Sequence, residues 1–338
     1  MTQREDFPSD KAILEWINEA AMRLDGVINR TPLLESQALN ELVGGRVLLK
    51  PENLQRSGSF KIRGAYNAIA SLPSSTKNVV AWSSGNHAQG VAMAAKLTGK
   101  QAEIVMPHDT PENKSRAVEA LGGRIIGYDR YTEDREAIAF DRAASLDCPV
   151  IPSYDLWPVV AGQGTTGLEI MSDPLLNGRP PDNVLVCCGG GGLTAGIALA
   201  VHAESSTTKV FAVEPKAADD TARSFAAGSR LANDPATRSV CDALLTPKPG
   251  ALTFPINQRH LSDVLTVTDD QALRAMGYAH EILHLVLEPG GAVALAAVLA
   301  HAVELSNKTT VAVLSGGNVG DAMLAKGIAA FRAQNDSV

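Results

Sequence analysis

The chemistry in this sequence starts at a lysine. Lys61 sits in Ser57-Gly58-Ser59-Phe60-Lys61-Ile62-Arg63-Gly64-Ala65, enclosed by small residues and one aromatic, just ahead of a helical pattern. A lone lysine is usually a solvated surface residue, but an amine desolvated near a helix start has its pKa lowered toward nucleophilicity. A second element is Gly189-Gly190-Gly191-Gly192-Leu193, after the apolar run Val184–Cys188 and before Thr194-Ala195-Gly196. Such glycines let a backbone approach a ligand closely. Free N–H groups and the dipole of the following helix make an anion site, for which phosphate is the natural guest. The run is not a dinucleotide fingerprint, because Thr194 stands where the third glycine belongs, and no Gly-Lys-Ser/Thr follows to make a P-loop.

Two more junctions are rich in Gly, Ser and Asn: Ser83-Ser84-Gly85-Asn86-His87 and Ser315-Gly316-Gly317-Asn318. Each lies between an apolar run and a helical segment. Eight strands are expected, at Val47–Lys50, Val79–Trp82, Glu103–Met106, Arg124–Gly127, Val184–Cys187, Val210–Val213, Val264–Thr268 and Val311–Leu314. Most are Val/Ile/Leu runs rather than in/out alternations, as expected of parallel strands covered on both faces. Helical spacing marks Ile13–Leu24 with Ser9 or Asp10 as N-cap, His87–Leu97, Leu193–Ala203 and Asp269–Leu283, and the apolar stretch near 290–305 reads as a core helix. The alternation predicts an α/β protein, and ligands of such sheets bind beyond the carboxyl ends of the strands. Residues 228–262, with Pro235, Pro247, Pro249 and Pro255, are expected to be irregular.

Composition narrows the class. The 338 residues carry a formal charge of −7 without a basic block, and aromatics are 4%. No nucleic-acid surface and no membrane contact are expected. The N-terminus is too polar for a signal peptide, and no stretch is long enough to span a bilayer, so a cytoplasmic location is expected. The four cysteines, Cys148, Cys187, Cys188 and Cys241, lack zinc-site spacing, and the adjacent Cys187 and Cys188, in an apolar run, read as small buried hydrophobes rather than a redox pair.

A phosphate cradle plus a sheltered lysine is what a pyridoxal-phosphate imine requires. The words Glu52-Asn53-Leu54-Gln55, Ser57–Ala65, Ser83–Gln89, Ala161-Gly162-Gln163-Gly164-Thr165, Gly189–Leu193, Val213-Glu214-Pro215, Glu288-Pro289 and Leu314–Val319 resemble, in order and spacing, the threonine/serine dehydratase and serine racemase family. These are pyridoxal-phosphate enzymes of tryptophan-synthase-β-like fold (fold type II), with two domains, each a mainly parallel twisted sheet covered by helices. The resemblance runs from about Arg30 to Val319. It implies that Lys61 is the imine lysine and takes the Cα proton. Gly189, Gly190, Gly191, Gly192 and Leu193 would hold the cofactor phosphate. Phe60 would pack beside the ring, Asn86 would bond its 3′ oxygen, and Ser315 would face the pyridine nitrogen. Ser83, Ser84, Gly85, Asn86 and His87 would bind the substrate carboxylate. For His87 a purely structural role weighs at least as much. Ser84 resembles the racemase pattern and would serve as a second proton carrier, against the alternative of a serine bonding only backbone. Glu214, the Ala218 carbonyl and Asp220 would bind Mg²⁺ or a similar ion (Mn²⁺ or Ca²⁺), against a plain acidic loop. Arg135 would clamp a second carboxylate, although a solvated arginine is the commoner case.

The chain departs from the family at Pro152-Ser153-Tyr154-Asp155 and at Cys241-Asp242-Ala243-Leu244, which leaves substrate contacts, including any at Asp242, open. The expected organisation is a large cofactor domain of residues 1–72 and 157–338 and a small closing domain of 73–156. No amino-acid-sensing domain is expected after the last helix, and a homodimer is implied by resemblance alone. The expected reaction is elimination on a small β-hydroxy amino acid to a 2-oxo acid and ammonia. The alternatives are serine racemisation and 3-hydroxyaspartate cleavage, with β-replacement or a non-catalytic binding protein ranked below them.

Overall fold

The computed structural model describes residues 7–335. In chain order the elements are α1 (Asp10–Leu24), β1 (Leu34–Glu35), α2 (Gln37–Val43), β2 (Arg46–Pro51), α3 (Lys61–Ala70), β3 (Asn78–Trp82), α4 (Asn86–Leu97), β4 (Gln101–Pro107), α5 (Glu112–Ala120), β5 (Arg124–Tyr128) and α6 (Arg135–Ser145). There follow α7 (Trp157–Met171), β6 (Asn183–Cys187), α8 (Gly192–Glu204), β7 (Lys209–Pro215), α9 (Asp220–Ala227), α10 (Thr253–His260), β8 (Asp263–Val267), α11 (Asp269–Glu281), α12 (Pro289–Leu299), β9 (Thr309–Leu314) and α13 (Asp321–Asn335). The strands form a six-stranded sheet, β1-β2-β9-β6-β7-β8, and a three-stranded sheet, β3-β4-β5. Every pairing is parallel except β1 with β2.

All eight expected strands are present; β2, β6 and β9 at the centre of the large sheet are buried as their composition requires, whereas the edge strands β5 and β8 are only partly covered. The ninth, β1, is two residues long and carries no periodicity a sequence could display. Ser9 caps α1, and its side chain accepts from the Ala12 N–H. The core helix near 290–305 proves to be α12, which ends at Leu299 before His301 and Glu304. It lies against β6, β7 and β9. One expectation fails: residues 228–262 are not irregular throughout. Thr253–His260 is a helix, α10, and Asp242–Leu244 a short 3-10 turn. Pro255 is tolerated because it falls within the first turn, where its missing N–H has no helical partner to lose.

α3 is anchored by buried charge. Arg63 is fully buried; its Nε and Nη2 each donate to a Glu52 carboxylate oxygen at 2.7 Å, and Nη1 donates to Glu169 at 2.7 Å. Lys50, also fully buried, donates to the same Glu169 at 2.6 Å. Removing one member of such a set leaves the others buried and uncompensated, which costs ~3–5 kcal/mol. α7 closes on α3 at glycine: a Cβ on Gly162 would lie 2.5 Å from the Arg63 carbonyl oxygen. This contact and the charge network together set the position of α3, whose first residue is Lys61.

Candidate active site

Parallel strands bring their carboxyl ends to one edge of the large sheet, so the loop after β6 (188–191) and the loop after β9 (315–320) are neighbours there. The segment before α3 is laced to the second of these loops. Ser59 bridges Gly316, the Phe60 N–H donates to the Ser315 carbonyl at 3.1 Å, and the Gly317 N–H to the Gly58 carbonyl at 2.9 Å. The loop after β3 and the start of α4 face them from the small sheet. The result is a cavity of about 480 Å³. Phe60, Lys61, Ser83, Ser84, Gly85, Asn86, His87, Arg135, Gly189–Gly192, Leu193 and Ser315 all line it, so the structure gathers every cofactor and substrate residue expected from the sequence.

Lys61 Nζ donates to the Ser153 carbonyl at 2.9 Å and lies 5.0 Å from the centre of the Phe60 ring. Burial lowers its pKa to about 8, opposed in part by Cys187 and Glu288. The amine is therefore far closer to its neutral, nucleophilic form at physiological pH than a solvated lysine. Burial also pushes Glu288 up to about 7, although Asn86 donates to it. His87 is buried, bonds the Ile151 carbonyl at 2.8 Å, and has its pKa lowered to about 3 by burial and by Lys61. A carbonyl only accepts, so this imidazole is a neutral donor that ties α4 to the chain before α7. The Ser315 hydroxyl lies against the Cys187 thiol, which burial raises to about 11. Cys187 and Cys188 are unreactive buried thiols, and no disulfide forms among the described residues.

The glycine run needs its glycines. Gly191 has φ +87, and a Cβ on Gly190 would lie 2.2 Å from the Tyr154 ring. Thr253 Oγ1 donates to the Gly190 carbonyl at 2.6 Å and Asn257 Nδ2 to the Gly191 carbonyl at 3.2 Å, so the first turns of α10 hold the loop from outside. With those carbonyls engaged, the N–H groups at the start of α8 are left for an anion.

Residues 24–316 match the family described as pyridoxal-phosphate dependent enzyme. The chain belongs to that family. It is 41% identical over 304 residues to the L-threo-3-hydroxyaspartate ammonia-lyase of Saccharomyces cerevisiae, covering 89% of this chain and 91% of that protein. It is 37% identical over 316 residues to the serine racemase of Schizosaccharomyces pombe, covering 92% and 96%. Among solved structures, a threonine deaminase from T.th. superposes with a TM-score of 0.86 at 42% identity, covering 91% of this chain and 98% of that one. The α/β architecture with parallel sheets is that of the fold type II pyridoxal-phosphate enzymes.

The residues present fit the cofactor this family uses. A glycine loop closed to any Cβ at its centre, a lysine whose charge burial disfavours and a buried hydroxyl at the end of β9 share one cavity. The metal-site residues lie outside that cavity, at the end of β7 and the start of α9. Glu214 accepts the Ala222 N–H at 2.7 Å and the Thr221 N–H at 3.3 Å, which caps α9. Asp220 accepts from Asn233 Nδ2 at 2.6 Å, while its Oδ2 is buried without a partner. Burial raises Glu214 to about 8, with Asp220 adding to the rise, and raises Asp220 to about 6, with Asp219 adding to it. Among the described residues no group of three or more His, Cys, Asp or Glu could hold a metal ion. Two carboxylates and a carbonyl suit a hard cation that keeps its waters, and the orphaned Asp220 oxygen fits such an ion.

Sequence reasoning left several cavity residues without a role. Tyr154 covers Gly190 and Gly192. Lys114, on α5, pairs with Asp242 at 2.9 Å, and both line the cavity. Glu288 and Asn318 flank Asn86. The signal was present for the last two, in the words Glu288-Pro289 and Ser315–Asn318, but which atoms they meet depends on a crossing between distant segments. Tyr154 and Asp242 lie in the two departures from the family pattern, where contacts were left open, and nothing in the pattern marked Lys114.

Proposed function

We propose that this enzyme removes water and then ammonia from a small β-hydroxy amino acid, giving a 2-oxo acid. The observation that carries this reading is one cavity in which the partly buried Lys61 amine, the glycine loop and the start of α4 converge. When bound, pyridoxal phosphate supplies an electron sink that acidifies the Cα–H of an amino acid bonded to its aldehyde carbon. Lys61 would hold the cofactor through Nζ, and its free amine would take the Cα proton, a role its lowered pKa supports. Gly189–Gly192 and Leu193 hold the phosphate through backbone N–H groups, and Phe60 packs beside the ring. Ser315 offers the ring nitrogen a neutral hydroxyl, which limits the sink and favours prompt loss of the β-hydroxyl. Ser83–His87 hold the substrate carboxylate at the start of α4; His87, a neutral donor to backbone, positions that turn.

Arg135 favours a substrate with a second carboxylate, such as 3-hydroxyaspartate. It is the first residue of α6, where the helix dipole disfavours a cation, and it forms no ion pair among the described residues. Ser84 favours a minor racemase or D-substrate activity, because its hydroxyl lines the cavity and has no hydrogen-bond partner among the described residues. Residues 73–156 form the closing unit over the remainder, with the Lys114–Asp242 pair as a contact across the cleft, and closure excludes water. Glu214, the Ala218 carbonyl and Asp220 hold Mg²⁺ or a similar ion away from the chemistry. The active protein is a homodimer of cytoplasmic location.

The test is a 2-oxo acid release assay over serine, threonine and 3-hydroxyaspartate, both enantiomers, with and without Mg²⁺, followed by chiral chromatography. Oxo acid and ammonia in equal amounts are expected. Abundant D-serine with little pyruvate would replace the lyase reading with a racemase, and no turnover of any β-hydroxy amino acid would remove both.

A further inference from the structure

Asn86 is buried at the first position of α4, and its carboxamide is held from two sides. Asn318 Nδ2 donates to the Ser57 carbonyl at 2.8 Å and to Asn86 Oδ1 at 2.7 Å. A carbonyl can only accept, so Ser57 decides which end of the Asn318 amide is nitrogen. That in turn decides which atom of Asn86 faces Asn318: its oxygen. Asn86 Nδ2 then donates to Glu288 Oε1, a carboxyl 5% exposed. One of its two N–H bonds is spent there and the other is left over.

The surroundings make room for this chain of bonds. A Cβ on Gly316 would lie 2.3 Å from Glu288 Oε1 and 3.3 Å from Asn86 Nδ2, and one on Gly58 would lie 2.2 Å from Asn318 Oδ1. Turning the Asn86 amide over would set its oxygen against the Glu288 carboxyl and its nitrogen against the Asn318 nitrogen. Both bonds would be lost at once in a buried place, where a donor or acceptor left unsatisfied is costly.

We propose that Glu288 and Asn318 are positioning residues that lock the Asn86 amide with one N–H free to meet the ring hydroxyl oxygen of the cofactor. This rests on the reading of Asn86 given above. A fixed N–H donor at that oxygen stabilises its anionic form, whereas a turned amide would present a carbonyl and repel it. The lock is independent of chemistry on the substrate, so it is legible in the resting holoenzyme.

The experiment is a pH titration of the visible band of the cofactor bonded to Lys61, in the holoenzyme without substrate. Asn86→Ala is expected to raise its midpoint by about one unit or more, a factor of ten in the ionisation constant. Asn318→Ala and Glu288→Ala are expected to shift it in the same direction. Glu288→Gln keeps an acceptor for Asn86 and is expected to return the midpoint to the wild-type value. A Glu288→Gln midpoint that stays with that of Glu288→Ala would overturn the part assigned to Glu288. Unshifted titrations in Asn318→Ala and Glu288→Ala, with Asn86→Ala shifted, would overturn the lock. An unshifted Asn86→Ala would overturn it at its root. A wild-type protein with no visible band would instead bring down the cofactor reading itself.

Discussion

If burial holds the Lys61 pKa at about 8, cofactor capture must saturate within an accessible pH range. The reactive species is the neutral amine. With a pKa of about 8, its share is ~9% at pH 7 and ~91% at pH 9, a rise of about tenfold. A solvated lysine near 10.5 would go from ~0.03% to ~3%, a rise of about a hundredfold with no plateau below pH 10. The difference in pKa corresponds to ~3 kcal/mol favouring the uncharged amine, and its sign follows from desolvation of the ammonium. The assay strips the cofactor by dialysis, adds pyridoxal phosphate in excess, and follows growth of the visible band by stopped flow from pH 6.5 to 10, with Lys61→Ala giving the background from other amines. A capture rate that climbs about tenfold and levels off above pH 9 is expected. A hundredfold climb without a plateau would refute the reasoning, since Lys61 would then be an ordinary solvated lysine.

Three further perturbations have definite outcomes. Gly190→Ala places a methyl 2.2 Å from the Tyr154 ring and is expected to weaken cofactor binding by at least tenfold, ~1.4 kcal/mol, in an equilibrium titration of the apoenzyme; unchanged affinity would mean that the loop does not cradle the phosphate. Arg63→Met leaves the fully buried Glu52 without its ion-pair partner, while Glu169 keeps Lys50, and is expected to cost ~3–5 kcal/mol in urea unfolding. Chelation should lower the melting temperature by several degrees through loss of ~2.7 kcal/mol of linkage at a hundredfold excess of Mg²⁺ over its dissociation constant. Asp220→Asn should melt at one temperature with or without the ion, and a wild-type protein indifferent to Mg²⁺ would dismiss the metal site.

The strands and the three Gly/Ser/Asn junctions were legible because buried parallel strands are plain apolar runs and ligand loops break them abruptly. Lys61, Asn86, Gly189–Gly192 and Ser315 could be picked out for the same reason: each sits at such a break. What the sequence withheld depends on long-range geometry. β1 is too short for a period to show. α10 hides behind three prolines, although its Thr253 and Asn257 hold the glycine loop. The Lys114–Asp242 pair joins residues 128 positions apart, and neither has a neighbour that announces the other. Arg63 reads as one more charged residue after the lysine, yet it is fully buried.

That last residue has a consequence for how this stretch of chain can vary. Lys61 and Arg63 share a single helical turn of α3, so the turn that presents the amine also plugs an ionic socket formed by Glu52 and Glu169. Adding or deleting one residue between Lys61 and Arg63, inside α3, would swing one relative to the other by ~100° about the helix axis. Either the guanidinium would leave its socket or the amine would leave the cavity. Length in this stretch is therefore as constrained as residue identity, while surface loops elsewhere can lengthen without touching the chemistry.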